Sequence, residues 1–378
     1  MRTMAAVLYE LGRPSPYADS RPLVVEEVEL EGPGRGEVLV EVEAAGLCHS
    51  DLSVIDGSRP RPAPMVLGHE ASGVVREVGP GVEDLSPGDH VVFSFVPLCG
   101  RCAYCAVGRP ALCEPGNAAN ARGSLLTGAR RFRSGTGAPL HHHLGVSAFS
   151  RYTVAARESL VRIRPDVPLA AAAVFGCAVL TGVGAVVNTA RVAPGARVAV
   201  FGLGGVGLSA ILGARLAGAL EIVAVDRIAA KLELARQLGA TRTVQPDADP
   251  GEAVRRLTGG GVDYAFEAVG SPEVLAQAFA ATRRGGTTVT IGLPHPDRRL
   301  TLPPVTLVAE ERTLMGSYMG SAVPQRDIPR FLDLYLAGQL PVDRLVTGRI
   351  ALGEVNQGFD ALHQAVAIRQ LLSLGPAS

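Results

Sequence analysis

The chain has no net charge, its 36 basic residues being offset by 36 acidic ones. A balanced surface removes the electrostatic reason to expect nucleic acid or an anionic membrane as partner. Lysine is almost missing: Lys231 is the only one, so the other cationic side chains are all arginine, a bias that reads as genome composition rather than function. The N-terminal stretch MRTMAAVLYELGRP lacks a charged region followed by a long apolar run. It does not read as a signal peptide, and a cytoplasmic location is expected. Glycine is abundant, with 45 residues, yet follows no repeating period, which excludes a collagen-like chain.

What remains is a large apolar inventory. A 47% hydrophobic share and mean hydropathy of +0.23 argue against disorder. At 378 residues the chain exceeds what one core sustains, so two domains are expected. One uncharged stretch, residues 167–187 (VPLAAAAVFGCAVLTGVGAVV), is long enough for a membrane span. Its Ala and Gly content, with Pro168, Gly176, Gly182 and Gly184, suits a helix packed between domains instead. No membrane partner is expected.

Two textures divide the chain. Up to about residue 160, short alternating runs such as EVLVEVE (37–43) and GVVREV (73–78) lie between Gly and Pro clusters and read as strands with turns. From about residue 179, apolar strands at 197–201, 221–225, 264–268 and 287–292 alternate with helical stretches, the pattern of a doubly wound parallel sheet. Helices are expected at 328–337 and 354–369, with no further buried strand series.

Four of the six cysteines, Cys99, Cys102, Cys105 and Cys113, have spacing that lets four thiolates converge on one ion. Four sulfurs leave no open position, so the site reads as structural zinc. Disulfides fit poorly without a secretory signal, whereas an iron-sulfur cluster can use the same gaps. The other two, Cys48 and Cys177, have no thiol neighbour in sequence, and Gly68-His69-Glu70 lies between them. Two thiolates and one imidazole with an open fourth position make a catalytic zinc site. Singly, a buried Cys or His is more often ordinary core. Together, a second site leaves no cysteine unassigned.

The third motif is VAVF (198–201) followed by GLGGVG (202–207), opening onto the helix LSAILGARLAGA. Gly202 suits the tight turn, Gly204 lets backbone approach a pyrophosphate, and Gly207 allows close helix packing. The next strand, EIVAV, ends in Asp226, which accepts ribose hydroxyls and repels a 2′-phosphate. The expected coenzyme is therefore NAD rather than NADP.

With GLCHSD (46–51), GHE (68–70), the four-cysteine lobe, FGC (175–177), GLGGVG and FEAVG (266–270) in place, nearly the whole chain resembles a zinc-dependent alcohol dehydrogenase of the medium-chain dehydrogenase/reductase superfamily. The resemblance implies an α/β protein with a GroES-like, mostly-β catalytic domain (1–178, structural zinc lobe about 95–115), a Rossmann NAD-binding domain (179–320) and a C-terminal return to the catalytic domain (321–378). It implies two zinc ions per chain, and reversible oxidation of a primary or secondary alcohol with hydride transfer to NAD.

Residue by residue, the resemblance assigns Cys48, His69 and Cys177 to the catalytic zinc and groups Glu70 with them as the acid behind the metal. Ser50 takes the alcohol proton, and Asp51 holds the ligating imidazole. His49 and Arg369 match contacts to the coenzyme pyrophosphate. Thr181, Gly205 and Val206 fall around the nicotinamide and glycine loop, with Arg227 and Lys231 near the adenosine ribose. Ser53 stands where many members have a histidine that completes the proton relay, so water or His49 is expected to finish it.

GSRPRPAP (57–64) and Glu114-Pro-Gly-Asn117 replace the acids and the Arg of glutathione-dependent members, so glutathione is not expected as co-substrate. Residues 114–147 resemble an insert of the longer, mostly dimeric members, favouring a homodimer over a tetramer. Phe95, Arg59 and Leu293 are expected to line a pocket for an alcohol with an apolar or aromatic body. The run His141-His142-His143 is not expected to bind one ion, because consecutive side chains diverge. The alternatives are a zinc-free quinone or enoyl reductase, which would lack Cys48, His69 and Cys177; a polyol dehydrogenase, which usually has Glu at the Cys177 position; and a non-catalytic binding protein on the same fold.

Overall fold

In the computed structural model, which describes residues 1–246 and 249–374, the chain divides into two compact units. Unit 1 comprises Met1–Cys177, Val323–Leu336 and Val342 onward; unit 2 comprises Ala178–Ala322 and Ala337–Pro341. The first change of unit falls between Cys177 and Ala178.

Unit 1 is built on two sheets. The larger runs in the order Leu160–Ile163, His90–Phe93, Glu70–Val78, Glu37–Gly46, Arg369–Ser373, Val346–Ala351, and Tyr152–Ala156 also pairs with Glu37–Gly46. The smaller runs Phe132–Arg133, Leu23–Leu30, Arg2–Leu8, Met65–Val66, His141–His142. Glu37–Gly46 and Glu70–Val78 pair antiparallel, and their Val38, Val40, Val42 and Val75 are fully buried in the main core. The β-texture read from the sequence is thus a sheet with alternate side chains turned inward.

The two C-terminal strands depart from the sequence reading. The expected helix 354–369 is Val355–His363, and Arg369–Ser373 is a strand. It pairs antiparallel with Glu37–Gly46, opposing Leu371 to Gly46, and parallel with Val346–Ala351. No glycine marks where the helix must stop, although Ala365 is left-handed at φ 58°. Val346–Ala351 alternates half-buried and exposed positions along its length, so it offers no apolar run.

Unit 2 holds a six-stranded parallel sheet in the order Arg242–Val244, Glu221–Val225, Arg197–Phe201, Val262–Glu267, Thr282–Thr290, Thr313–Gly316. In sequence order along the sheet this is 3-2-1-4-5-6, the Rossmann arrangement, and the central strands are buried on both faces. The strands Arg242–Val244 and Thr313–Gly316, both at the sheet edges and short, were not anticipated. No single helix among the described residues is long and apolar enough to cross a membrane. The uncharged stretch is broken at Cys177, whose φ and ψ are −138° and −76°.

Candidate active site

Cys48, His69 and Cys177 arrive from three separate segments of unit 1. Cys48 is the N-cap of the helix His49–Ile55, His69 follows the short strand Met65–Val66, and Cys177 sits at the break after Gly176. Local chemistry forces these placements. Gly68 is left-handed at φ 92°, and a Cβ there would lie 2.5 Å from the Phe149 backbone nitrogen. A Cβ on Gly176 would lie 2.4 Å from the Phe93 carbonyl oxygen, so only glycine lets Cys177 approach the sheet.

The ligand atoms of the three residues all lie within 4.8 Å of one another, and each residue is buried. His69 Nδ1 lies 3.1 Å from the Asp51 carboxylate, while its Nε2 is buried without a hydrogen-bond partner among the described residues. A buried, partnerless ring nitrogen beside two thiols, in surroundings that favour positive charge, suits zinc, a borderline-soft ion that takes N and S donors. Cys48, hydrogen-bonded to Cys177 and facing His69 and Arg369, has its pKa held well below the ordinary thiol value; Cys177 is correspondingly pushed up. Burial disfavours the His69 cation, but the charges of Asp51 and Cys48 lift its pKa well above that of free imidazole.

Glu70 and Arg369 pair with one another in unit 1. Glu70 is not among the donors gathered within 4.8 Å; its Oε2 lies 3.0 Å from Arg369 Nη1, both residues being almost fully buried. The strand Arg369–Ser373 brings this about, because Gly46 opposes Leu371 on one side and Glu70 on the other. Arg369 Nη1 also donates to the Leu47 carbonyl at 2.8 Å. The guanidinium thus neutralises a buried carboxylate next to Cys48.

Ser50 is half-buried and His49 exposed in the first turn of their helix. The Ser53 hydroxyl donates to the Ser50 carbonyl oxygen at 3.0 Å, not to its hydroxyl. Phe95 packs edge-on against His69, with ring centroids 5.8 Å apart. The sequence reading missed His143, whose Nδ1 lies 3.0 Å from Asp51. Its neighbours diverge as expected: His142 Nε2 accepts from the Arg131 N–H, and His141 Nδ1 lies 3.2 Å from the Arg122 carbonyl oxygen.

The four remaining cysteines also gather within 4.8 Å. Backbone N–H groups of Cys99 and Gly116 donate to Cys113 Sγ, and that of Cys102 donates to Cys99 Sγ, the usual environment of thiolates on a metal. The Cys105 backbone N–H pulls the Cys102 pKa down to about 6, whereas burial pushes Cys105 up to about 12. Four sulfur donors suffice for a tetrahedral set, the composition of a closed zinc site.

In unit 2 the glycine loop joins Arg197–Phe201 to the helix Gly205–Leu216. Gly202 is left-handed at φ 89°, and a Cβ on Gly207 would lie 1.8 Å from the Gly202 carbonyl oxygen. At Gly204 a Cβ would meet nothing within 4 Å, leaving room beside the helix N-terminus for a pyrophosphate. Asp226 closes the loop: Oδ2 accepts the Leu203 N–H at 2.7 Å and Oδ1 the Ile228 N–H at 2.9 Å. Next to Thr181, Gly182 lets two helices touch: a Cβ there would lie 2.3 Å from the Val206 carbonyl oxygen. Arg227 is exposed and Lys231 buried on the following turn and helix.

Comparison with known proteins decides the family. Residues 34–166 match the alcohol dehydrogenase GroES-like domain, and residues 205–337 the zinc-binding dehydrogenase family. Alcohol dehydrogenase class-3 of Cereibacter sphaeroides is 39% identical, covering 98% of this chain and all of its own. The chain belongs to the zinc-dependent alcohol dehydrogenases. An S-(hydroxymethyl)glutathione dehydrogenase of Paracoccus denitrificans is 38% identical to this dehydrogenase, again over 98% of the chain and the whole relative. Benzyl alcohol dehydrogenase of Acinetobacter calcoaceticus superposes on it with TM-score 0.91 at 34% identity, covering 99% of this chain and all of the other. The dehydrogenase therefore has an α/β, medium-chain fold and oxidises alcohols with zinc and NAD.

Proposed function

We propose that this dehydrogenase oxidises simple primary alcohols with an apolar or aromatic body, with Cys48, His69 and Cys177 as zinc ligands and Ser50 receiving the alcohol proton. The observation that carries the assignment is His69: Nδ1 is tied to Asp51 and Nε2 stands partnerless against two buried thiols. Zinc held there supplies a Lewis acid that lowers the pKa of an alcohol hydroxyl. The chain's own residues do the rest. Cys48 and Cys177 offer thiolate charge, with Arg369 balancing Glu70 behind them. Ser50 Oγ accepts the alcohol proton as its own hydroxyl proton passes on. Because Ser53 is turned to a backbone carbonyl, the proton leaves through His49 or solvent.

In this reading unit 1 is the catalytic domain and unit 2 the coenzyme domain. Gly202, Gly204, Gly205, Val206 and Gly207 cradle the pyrophosphate, Asp226 takes the adenosine ribose with Arg227 and Lys231 near it, and Thr181 flanks the nicotinamide. His49 and Arg369 supply positive charge toward the coenzyme. The first stretch of the catalytic domain ends at Cys177, the four-cysteine lobe holds structural zinc, and the protein works in the cytoplasm as a homodimer. Thr313–Gly316 is the outermost strand of its sheet, and Val305 and Val308, shortly before it, are 70% and 80% exposed, which favours pairing of two copies there.

Glutathione has no place in this reading despite the relatives that bear its name, because Arg59, Arg61 and Asn117 stand where its recognition needs two acids and a cation. Zinc content of two per chain, with NADH formation across a panel of aliphatic and aromatic alcohols, tests the assignment. One zinc per chain, or activity confined to the glutathione adduct of formaldehyde, would overturn it.

A further inference from the structure

Asp51 receives two imidazoles, and only one belongs to the proposed zinc ligands. His69 Nδ1 lies 3.1 Å from the carboxylate and His143 Nδ1 3.0 Å from Asp51 Oδ1. All three residues are at most 1% exposed, and the two rings meet edge to face with centroids 5.5 Å apart. Asp51 Oδ1 also accepts the Gly68 N–H at 3.1 Å. Burial opposes the Asp51 charge, yet His69 and His143 hold its carboxyl below the usual carboxylate range.

A carboxylate only accepts hydrogen bonds, so an imidazole nitrogen facing it carries the proton. Both rings then carry a proton on Nδ1, and with that place taken it is Nε2 of His69 that is left to ligate a metal. The Gly68 N–H and His69 both meet Asp51 at Oδ1; His143 on the same carboxylate adds a third restraint on rotation about the Cβ–Cγ bond. His143 is itself fixed by a tight turn. Its backbone N–H donates to Ser147 Oγ at 2.9 Å, and Ser147 Oγ donates to the Val66 carbonyl oxygen at 2.8 Å, on the strand that leads to His69. His143, Asp51 and His69 are thus anchored to one piece of backbone.

We propose that His143 is a positioning residue for the zinc centre: by setting Nδ1 3.0 Å from Asp51 Oδ1 it fixes the carboxylate that orients His69, and so slows loss of the metal. The inference rests on the reading of Cys48, His69 and Cys177 as zinc ligands. Outer partners of ligating histidines typically alter metal affinity by about 10–100-fold.

The test is zinc release to a chromogenic chelator, with the thiolate-to-metal absorption of Co²⁺-exchanged protein as a second readout. In His143→Leu, one of the two zinc ions should leave about 10–100-fold faster and the Co²⁺ band of that site should change, the other ion keeping its wild-type rate. His143→Asn, whose amide N–H falls near the place of Nδ1–H, should release zinc close to the wild-type rate; His143→Gln, which extends toward Nε2, should behave like Leu. If His143→Leu does not fold, the contrast between Asn and Gln decides. Wild-type release from His143→Leu, or Asn no better than Gln, would overturn the inference alone. A wild-type protein with fewer than two zinc ions would overturn the underlying site assignment as well.

Discussion

Replacing Asp226 by glycine should convert a strict NAD preference into a weak one. Both carboxylate oxygens are fixed, Oδ2 by the Leu203 N–H and Oδ1 by the Ile228 N–H, so the charge cannot swing away from an arriving adenosine ribose. A 2′-phosphate about 4–5 Å from this carboxylate, at an effective dielectric near 20, is disfavoured by about 3–4 kcal/mol per unit charge. Asp226 is only half-buried, so solvent screens part of this. A preference of about a hundredfold, close to 3 kcal/mol, is the expected remainder. In Asp226→Gly the Leu203 and Ile228 N–H groups lose their acceptor and face the same space, with the exposed Arg227 guanidinium adjacent in sequence. Freed backbone donors and an arginine together make an anion site. The kcat/KM for NAD should fall and that for NADP rise, shifting their ratio by roughly two orders of magnitude in line with the lost repulsion. Steady-state kinetics with both coenzymes, at one alcohol concentration and one ionic strength, measure this directly. A wild type that prefers NADP, or a variant whose ratio is unchanged, refutes the reasoning.

The two cysteine sites should fail in different ways. Cys105→Ser weakens a closed site whose binding energy is folding energy, lowering Tm or soluble yield, whereas Cys48→Ser should stay folded, retain one zinc and turn over negligibly in NADH assays. Glutathione should not stimulate formaldehyde oxidation beyond the rate with a simple primary alcohol; a large stimulation would show that Arg59, Arg61 and Asn117 do not govern that choice. Acid should destabilise the catalytic unit through His142, which burial and nearby Arg131 push down to about 3. Its folded pKa is depressed, so the stabilisation is complete above the unfolded value near 6.5 and is lost as pH falls toward 3, amounting to about 2 kcal/mol by pH 5. Denaturant titrations of His142→Gln should show a flatter acid limb between pH 6.5 and 4 than wild type; parallel limbs would count against His142.

Much of the site was readable because its chemistry is carried by local spacing. Cys99, Cys102, Cys105 and Cys113 lie within one lobe, and the turn from Phe201 to Gly207 is set by glycines whose roles follow from missing Cβ atoms. The four central strands of the parallel sheet were readable for a related reason, since strands buried on both faces show as continuous apolar runs, whereas the two short edge strands do not. Where partners are distant in sequence, the signal faded. Glu70 next to a ligand histidine invites reading as a ligand, and only the pairing of Arg369–Ser373 with Glu37–Gly46 reveals the arginine that occupies it. His143 sits among three identical residues, and which of them turns inward depends on the turn closed by Ser147. The helix after Glu354 ends without a glycine, so the strand beyond it was absorbed into the helical reading.

The pairing of Arg369–Ser373 with the strand ending at Gly46 also sets an order of events during synthesis. Chains generally begin folding from the N-terminus as they emerge, yet here the first sheet to start is among the last to finish. The nascent catalytic unit must wait, its strand Glu37–Gly46 lacking one neighbour, until Ser373 has been made; the parallel sheet of the other unit has all its strands once Gly316 has emerged. The inserted unit can therefore mature before the unit that surrounds it in sequence, and Glu70 has no arginine to meet until residue 369 has emerged.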